Sequence, residues 1–300
     1  MSPERPANSG SGEQRFLLLV NPSAGGGRAK GRLPAVEAAL GRAGVTYELR
    51  MTRDLDHAAE EAEQAAAAGT IPVVMSGDGM IGRVGGALCG GDVPLGVIPG
   101  GRGNDFARVV GISTEPDEAV ANLVSGRRRR IDVGEANGVR FLCIASCGFD
   151  SDANRIANEA KLVKGPLVYA YAALRALAQW KPATFTLTGD GAKREVRGYS
   201  VVAANSKAYG GGMFVAPDAE LDDGQLDVVT TADVPKLAFL RGLPDVFKGE
   251  HVDRPEVDVF RCRELLIEAD RPFAVYADGE HITDLPATVR LLPHLSLIHI

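Results

Sequence analysis

Three short, unbroken apolar runs, each followed at once by a glycine-rich loop, constrain this chain more than any other feature. Phe16-Leu17-Leu18-Leu19-Val20 leads into Asn21-Pro22-Ser23-Ala24-Gly25-Gly26-Gly27. Ile71 to Met75 leads into Ser76-Gly77-Asp78-Gly79-Met80, and Pro94 to Ile98 into Pro99-Gly100-Gly101-Arg102-Gly103-Asn104-Asp105. A run without polar alternation suits a strand buried on both faces, as in a parallel sheet covered by helices. Helix-like stretches follow the runs: Leu33, Val36, Leu40 and Ala43 share one face, and Gly44 is placed to end that helix. Further helices are predicted over 57–68, 80–89, 104–110 and 116–125, with another strand over 45–51. Strand and helix alternating in this way predict a doubly wound parallel-sheet α/β domain over residues 15–130.

The pattern changes after Arg130. Strands are predicted over 131–135, 139–146, 184–188, 199–204, 226–231, 264–268 and 274–276, with Asn137-Gly138 and Gly189-Asp190-Gly191 as hairpin turns. This reads as an antiparallel β-sandwich domain over 131–292. One long helix over 152–180 interrupts it, with a break or kink at Pro166, and a second helix covers 235–248. Residues 1–14 are polar and read as a disordered tail, and 293–300 fit no predicted element.

A chain of 300 residues has room for two domains. Its net charge of −6 argues against nonspecific nucleic-acid binding. Cys89, Cys143, Cys147 and Cys262 form no C-x-x-C pair and read as reduced core thiols of a cytoplasmic protein. No run is long enough to span a bilayer. Arg127 to Arg130 read as a solvated loop before a strand, with a membrane- or phosphate-facing patch as the other reading.

The loops carry the chemistry. Glycines after a buried strand let backbone N–H groups turn toward an anion at the start of a helix. Asp78 sits between two glycines at the C-terminal end of a strand, where parallel sheets bind ligands; its carboxylate can hold Mg²⁺ or orient a hydroxyl. Alone, each loop could be an ordinary turn, and Asn104 or Asp105 only a helix cap. Three such loops on one sheet edge form one crevice. Asp278-Gly279-Glu280 reads either as an exposed hairpin or as part of a site, and the acidic turn Asp222-Asp223-Gly224-Gln225 as a cation loop or a plain turn.

Asn21 to Gly25, the Gly-Asp-Gly loop at 77–79, Gly103-Asn104-Asp105-Phe106-Ala107-Arg108 and Asp278-Gly279-Glu280 together resemble the diacylglycerol, sphingosine and ceramide kinase superfamily, over residues 15 to 292. The resemblance implies an N-terminal ATP-binding domain, a C-terminal lipid-binding domain and transfer of the ATP γ-phosphoryl to a lipid hydroxyl such as that of diacylglycerol. By the same resemblance Asn21, Pro22, Ser23, Ala24, Gly25, Thr52, Ser76, Gly77, Asp78, Gly79, Met80, Gly82, Arg102 and Asn104 contact the nucleotide. Asp78 and Asp105 organise Mg²⁺ and the acceptor, and Asp278 or Glu280 is the general base. Asp132, Glu220, Asp223 and Gln225 resemble metal ligands, the last three in a structural Mg²⁺ loop. The implied partners are a lipid, a transient membrane surface met from the cytoplasm, and a second copy of the chain in a homodimer; nucleic acid is not among them.

This sequence departs from the family pattern at four places. Ser76 replaces a Gly, Met80 a Thr, Gly82-Arg83 a polar–Glu pair, and Arg102 a Thr. Arg102 can grip a phosphate bidentately. An NAD-kinase-like or sugar kinase, or a non-catalytic nucleotide- or lipid-binding protein, are the competing readings. The 152–180 segment interleaves Leu162, Val163, Leu167, Val168, Tyr169, Leu174, Leu177 and Trp180 with Lys161, Lys164, Arg175 and Lys181. It reads as an amphipathic helix packed on the sandwich, or as an acyl-chain groove or membrane-touching surface.

Overall fold

The computed structural model describes residues 14–160 and 167–299. Its first part runs β1 (Phe16–Val20), α1 (Ala24–Arg42), β2 (Tyr47–Met51), α2 (Leu55–Ala67), β3 (Ile71–Ser76), α3 (Asp78–Ala87), β4 (Gly96–Pro99), α4 (Asp105–Val109) and α5 (Pro116–Ser125). The strands form a parallel sheet in the order β2-β1-β3-β4. Strands β1, β3 and β4 are buried at every position, which is why they lack polar alternation. Alternate residues of β1 serve opposite cores. Phe16, Leu18 and Val20 pack with Val36 and Leu40 of α1 and Leu123 of α5, while Leu17 and Leu19 pack with Ala58 and Ala62 of α2 and Ile81 and Val84 of α3.

The second part is antiparallel. It runs β5 (Arg128–Ala136), β6 (Val139–Phe141), β7 (Ile144–Gly148), α6 (Phe149–Glu159), α7 (Leu167–Gln179), β8 (Ala183–Gly189), β9 (Ala192–Ala204), β10 (Leu226–Ala232), α8 (Lys236–Val246), β11 (Val257–Cys262), β12 (Glu264–Ala269), β13 (Ala274–Ala277), β14 (Glu280–Asp284) and β15 (Ala287–His299). The strands connect in the order β14-β13-β7-β9-β8-β12-β15-β5-β6, and β10 joins β9 to β11. Three hairpins turn on Asn137-Gly138, Asp190-Gly191 and Asp278-Gly279, with positive φ at both residues of each pair. Such pairs match the right-handed twist of the strands they join.

Four expectations change. The helix over 152–180 is two helices, α6 and α7, and Lys161, Leu162, Val163, Lys164 and the expected break at Pro166 lie outside the described residues. Arg128 to Arg130 are in strand β5 rather than a loop, where Arg129 pairs with Asp222 at 2.7 Å and Arg130 with Asp92 at 2.7 Å. Strands β11 and β14 carry too many exposed polar residues to show as apolar runs. The segment 293–299 is the end of β15. The ladder with β5 shifts register between Leu292 and Ser296, where Pro293 lacks an N–H and His294 has φ 50, so the strand's pattern is interrupted.

The recovered end of β15 ties the two parts together. Leu295 and Leu297 carbonyls accept from Gly90 and Leu95 N–H groups at 2.7 and 2.9 Å, and His299 N–H donates to Leu95 at 2.9 Å. One apolar cluster spans both parts, from Leu19, Val74 and Phe106 to Ile131, Leu142, Val202 and Ile298. This shared core fixes the cleft between them.

Candidate active site

The three loops meet on one edge of the parallel sheet. Gly100 N–H donates to the Ser76 carbonyl at 2.8 Å, and a Cβ on Gly101 would lie 2.5 Å from the Gly77 Cα, so the second and third loops touch backbone to backbone. Only glycine permits that approach. In the first loop Asn21 Oδ1 accepts from the Ser23 N–H at 3.0 Å and hydroxyl at 2.8 Å. Gly25, Gly26 and Gly27 all have positive φ, and the Gly26 and Gly27 N–H groups turn back to the Ser23 carbonyl at 3.0 and 3.3 Å. Those two N–H groups therefore close the loop rather than face the cleft.

Asp78 and Asp105 converge. A Cβ on Gly103 would lie 2.7 Å from Asp105 Oδ2 and 3.2 Å from Asp78 Oδ2. Asp78 Oδ1 accepts the Phe106 N–H at 2.9 Å. Asp105 accepts from Arg108 at 2.6 Å and, across the cleft, from the Gly211 N–H at 2.7 Å. Burial, reinforced by the Asp105 charge, pushes the Asp78 carboxyl up to about 6.

The β13–β14 hairpin brings two more carboxylates from the antiparallel part. Asp278 Oδ2 accepts the Leu142 N–H at 2.8 Å, and Oδ1 accepts those of Cys143 at 3.0 Å and Ile144 at 3.3 Å. Burial still pushes Asp278 up to about 6, against the pull of these donors. Its Oδ2 lies against Gly82, where a Cβ would come within 2.2 Å. Glu280 reaches over Gly79 from the other side, where a Cβ would meet its Oε1 at 2.9 Å. Burial raises the Glu280 carboxyl, and no donor among the described residues holds it.

These groups wall a cleft of about 370 Å³. Of the residues singled out in the sequence, Asn21, Ser23 to Gly25, Ser76 to Met80, Arg102, Asp105, Asp278 and Glu280 line it. Pro22, Thr52, Gly82 and Asn104 do not line it. Thr52 is buried behind Met80, with its hydroxyl 3.9 Å from the sulfur and 3.3 Å from the Val20 carbonyl. Asn104 shapes the third loop, accepting the Gly101 N–H at 2.7 Å. Sequence reasoning missed Asn154, Tyr209, Gly210 and Gly211, which also line the cleft. The run Gly210-Gly211-Gly212 was the available signal, since all three residues have positive φ.

The expected cation loop is built differently. Asp132 is fully buried and accepts from Gly224 and His294 N–H groups, each at 2.7 Å. Asp223 accepts the Gln225 N–H at 3.0 Å and faces Arg261 at 3.5 Å. Arg261 also binds Asp227 at 3.0 Å and the Asp218 carbonyl at 3.2 Å. Arg261 thus sets a guanidinium against this turn, and among the described residues no group of three or more His, Cys, Asp or Glu side chains is placed to hold a metal ion. The fit is better at Asp78, which lines the cleft beside Asp105, because Mg²⁺ is commonly held by one or two carboxylates plus substrate phosphates.

A second cavity, of about 560 Å³, adjoins the cleft at Arg102, Asn154, Tyr209, Gly210 and Gly211. Its wall is largely apolar, from Phe149, Ala172, Val215, Val234, Phe239, Leu243, Val246 and Phe247. Asp150 sits in this wall, hydrogen-bonded by Tyr209 and Ser200, and burial pushes it up to about 6.

Comparison with known proteins agrees with this geometry. Residues 15–136 match the diacylglycerol kinase catalytic domain, and residues 143–299 match the YegS C-terminal NAD kinase beta sandwich-like domain. The chain is 34% identical to a diacylglycerol kinase of Mycobacterium tuberculosis, covering 93% of each, and 28% identical to one of Bacillus subtilis, covering 95% of this chain and 96% of the other. A crystal structure of a diacylglycerol kinase from Bacillus anthracis shares the fold with a TM-score of 0.72 at 22% identity, covering 96% of each chain. With its cleft, its paired carboxylates and both halves matched, the chain belongs to the diacylglycerol kinase family of phosphotransferases.

Proposed function

We propose that the protein transfers the γ-phosphoryl group of ATP to the hydroxyl of a lipid, with diacylglycerol as the acceptor, acting from the cytoplasm at a membrane surface. One observation carries this reading: the polar cleft opens directly into the apolar cavity through Arg102, Asn154, Tyr209 and Gly210-Gly211. A lipid with its acyl part in the cavity presents its hydroxyl at the carboxylates. A soluble acceptor such as NAD has no use for that cavity.

The residues divide the work. Ser23 to Gly25 and Ser76 to Gly79 receive the phosphates, and Arg102 at the junction neutralises charge on the transferring group. Asp78, beside Asp105, would hold Mg²⁺, which supplies charge neutralisation when bound. Glu280 accepts the hydroxyl proton as the new P–O bond forms and ADP leaves, because it is open to the cleft and held by no donor among the described residues. Asp278, with both oxygens engaged by backbone N–H groups, orients the β13–β14 hairpin that places Glu280. Asp150 and Tyr209 are placed to bind polar groups of the acceptor next to its hydroxyl.

The test is incubation with labelled ATP and Mg²⁺, offering diacylglycerol in mixed micelles, a total lipid extract and NAD in parallel, with products identified by mass spectrometry. Phosphatidic acid from diacylglycerol is the expected product. Phosphorylation of NAD without any lipid product would defeat the proposal.

A further inference from the structure

We propose that α8, with the outer face of α7 beside it, seats the protein on an anionic lipid bilayer at the mouth of the apolar cavity. The inference rests on the reading of that cavity as the acyl-chain site. Among the described residues the three most exposed large apolar side chains are Leu237 at 59%, Leu174 at 56% and Phe247 at 53%. Leu174 is on α7, Leu237 is on α8, and Phe247 follows its last turn. These are the helices that wall the cavity.

Helix α8 buries none of its residues. Phe239, Leu243 and Val246 face the cavity, while Leu237, Arg241 and Pro244 are exposed. Packing among the described residues does not explain a helix that is apolar toward a cavity and also presents leucine at its surface. The two helices are joined where the Lys236 ammonium donates to the Ala178 carbonyl at 3.0 Å.

The charge around this rim favours an anionic surface over a protein partner. Of the nearby carboxylates, Asp233 pairs with Arg197, Asp245 and Glu256 share Arg254, and Glu250 pairs with Lys248. Arg175, Lys236 and Arg241 have no carboxylate partner among the described residues; set against the shared Arg254 and the exposed Asp253, they leave a small positive excess here on a chain of net charge −6. Exposed leucine and phenylalanine beside cations without a carboxylate partner are what an interfacial helix needs: apolar side chains enter the acyl boundary and cations meet anionic headgroups. Seated this way, the cavity opens into the leaflet, and a lipid reaches the cleft without crossing water.

The experiment compares the intact protein with Leu174→Glu/Leu237→Glu and with Arg241→Glu in flotation on phosphatidylcholine vesicles with and without phosphatidylglycerol. Each preparation is also assayed on dispersed dioctanoylglycerol. Wild type is expected to float with the anionic vesicles, and the leucine variant to lose at least about tenfold in binding. Arg241→Glu is expected to lose binding only to the anionic vesicles. Turnover of dioctanoylglycerol, which does not need a bilayer, is expected to stay within about twofold of wild type. Variants that float like wild type would overturn the proposal, as would loss of a dimer in sedimentation with vesicle binding intact. If no preparation phosphorylates dioctanoylglycerol, the acceptor reading fails separately while flotation still decides the docking surface.

Discussion

Replacing Asp78 by Asn is expected to stabilise the fold while removing activity. Burial and the neighbouring Asp105 push this carboxyl from its ordinary 3.8 up to about 6 in the folded protein. The folded state therefore binds more protons than the unfolded state between those values, so stability falls as pH rises through that window. Above it the ionised carboxylate is a full burden on the fold. At about 1.4 kcal/mol per pH unit the difference is about 3 kcal/mol near neutral pH. Asn keeps the oxygen that accepts the Phe106 N–H and never ionises. The figure is a ceiling, because the amide also needs hydrogen-bond partners. Guanidinium unfolding followed by the fluorescence of Trp180, the single and buried tryptophan, reads this directly. The gain is expected to shrink to about 1 kcal/mol near pH 4.5, where the wild-type carboxyl is largely neutral in the fold. A variant less stable than wild type at neutral pH, or a gain that does not change with pH, would refute the reasoning.

Three other outcomes follow from the same geometry. Glu280→Gln is expected to lower kcat by about 10²- to 10⁴-fold with little change in KM for ATP, and wild-type kcat is expected to rise with pH through about 6 as Asp78 ionises; steady-state kinetics across pH check both. Gly82→Ala places a methyl 2.2 Å from Oδ2 of Asp278, whose carboxylate three N–H donors hold in place, so kcat is expected to fall at least about tenfold and stability by about 1–3 kcal/mol. Arg261→Met leaves buried Asp227 without its cation and is expected to lower stability by about 1–3 kcal/mol, whereas EDTA leaves the melting temperature of wild type unchanged; a marked drop with EDTA would restore a metal to the acidic turn.

Much of the site was legible because it is local. A buried parallel strand must be apolar throughout, and a loop that brings backbone against backbone must contain glycine, so β1, β3 and β4 and the loops after them announce themselves. The Asp278-Gly279 turn is legible for the same reason, since its backbone needs two positive φ angles. Other contributions left weaker traces. Tyr209 and Gly211 enter the cleft because of where β9 and β10 leave the loop between them, and Thr52 is removed from it because Met80 lies in front. Gly82, one of the departures from the family pattern, leaves in the fold the space that Asp278 occupies.

The sequence by itself determined the alternation of buried strands and glycine loops, the change to antiparallel hairpins after Arg130, and the carboxylates available to the site. These follow from periodicity and backbone sterics, which act within a few residues. Only the tertiary structure decided which carboxylate stays open, that Arg261 pairs with the acidic turn, that the last strand joins the two parts, and that an apolar cavity meets the cleft. Each of these depends on groups distant in sequence being brought within a few ångströms, where burial and pairing set their chemistry.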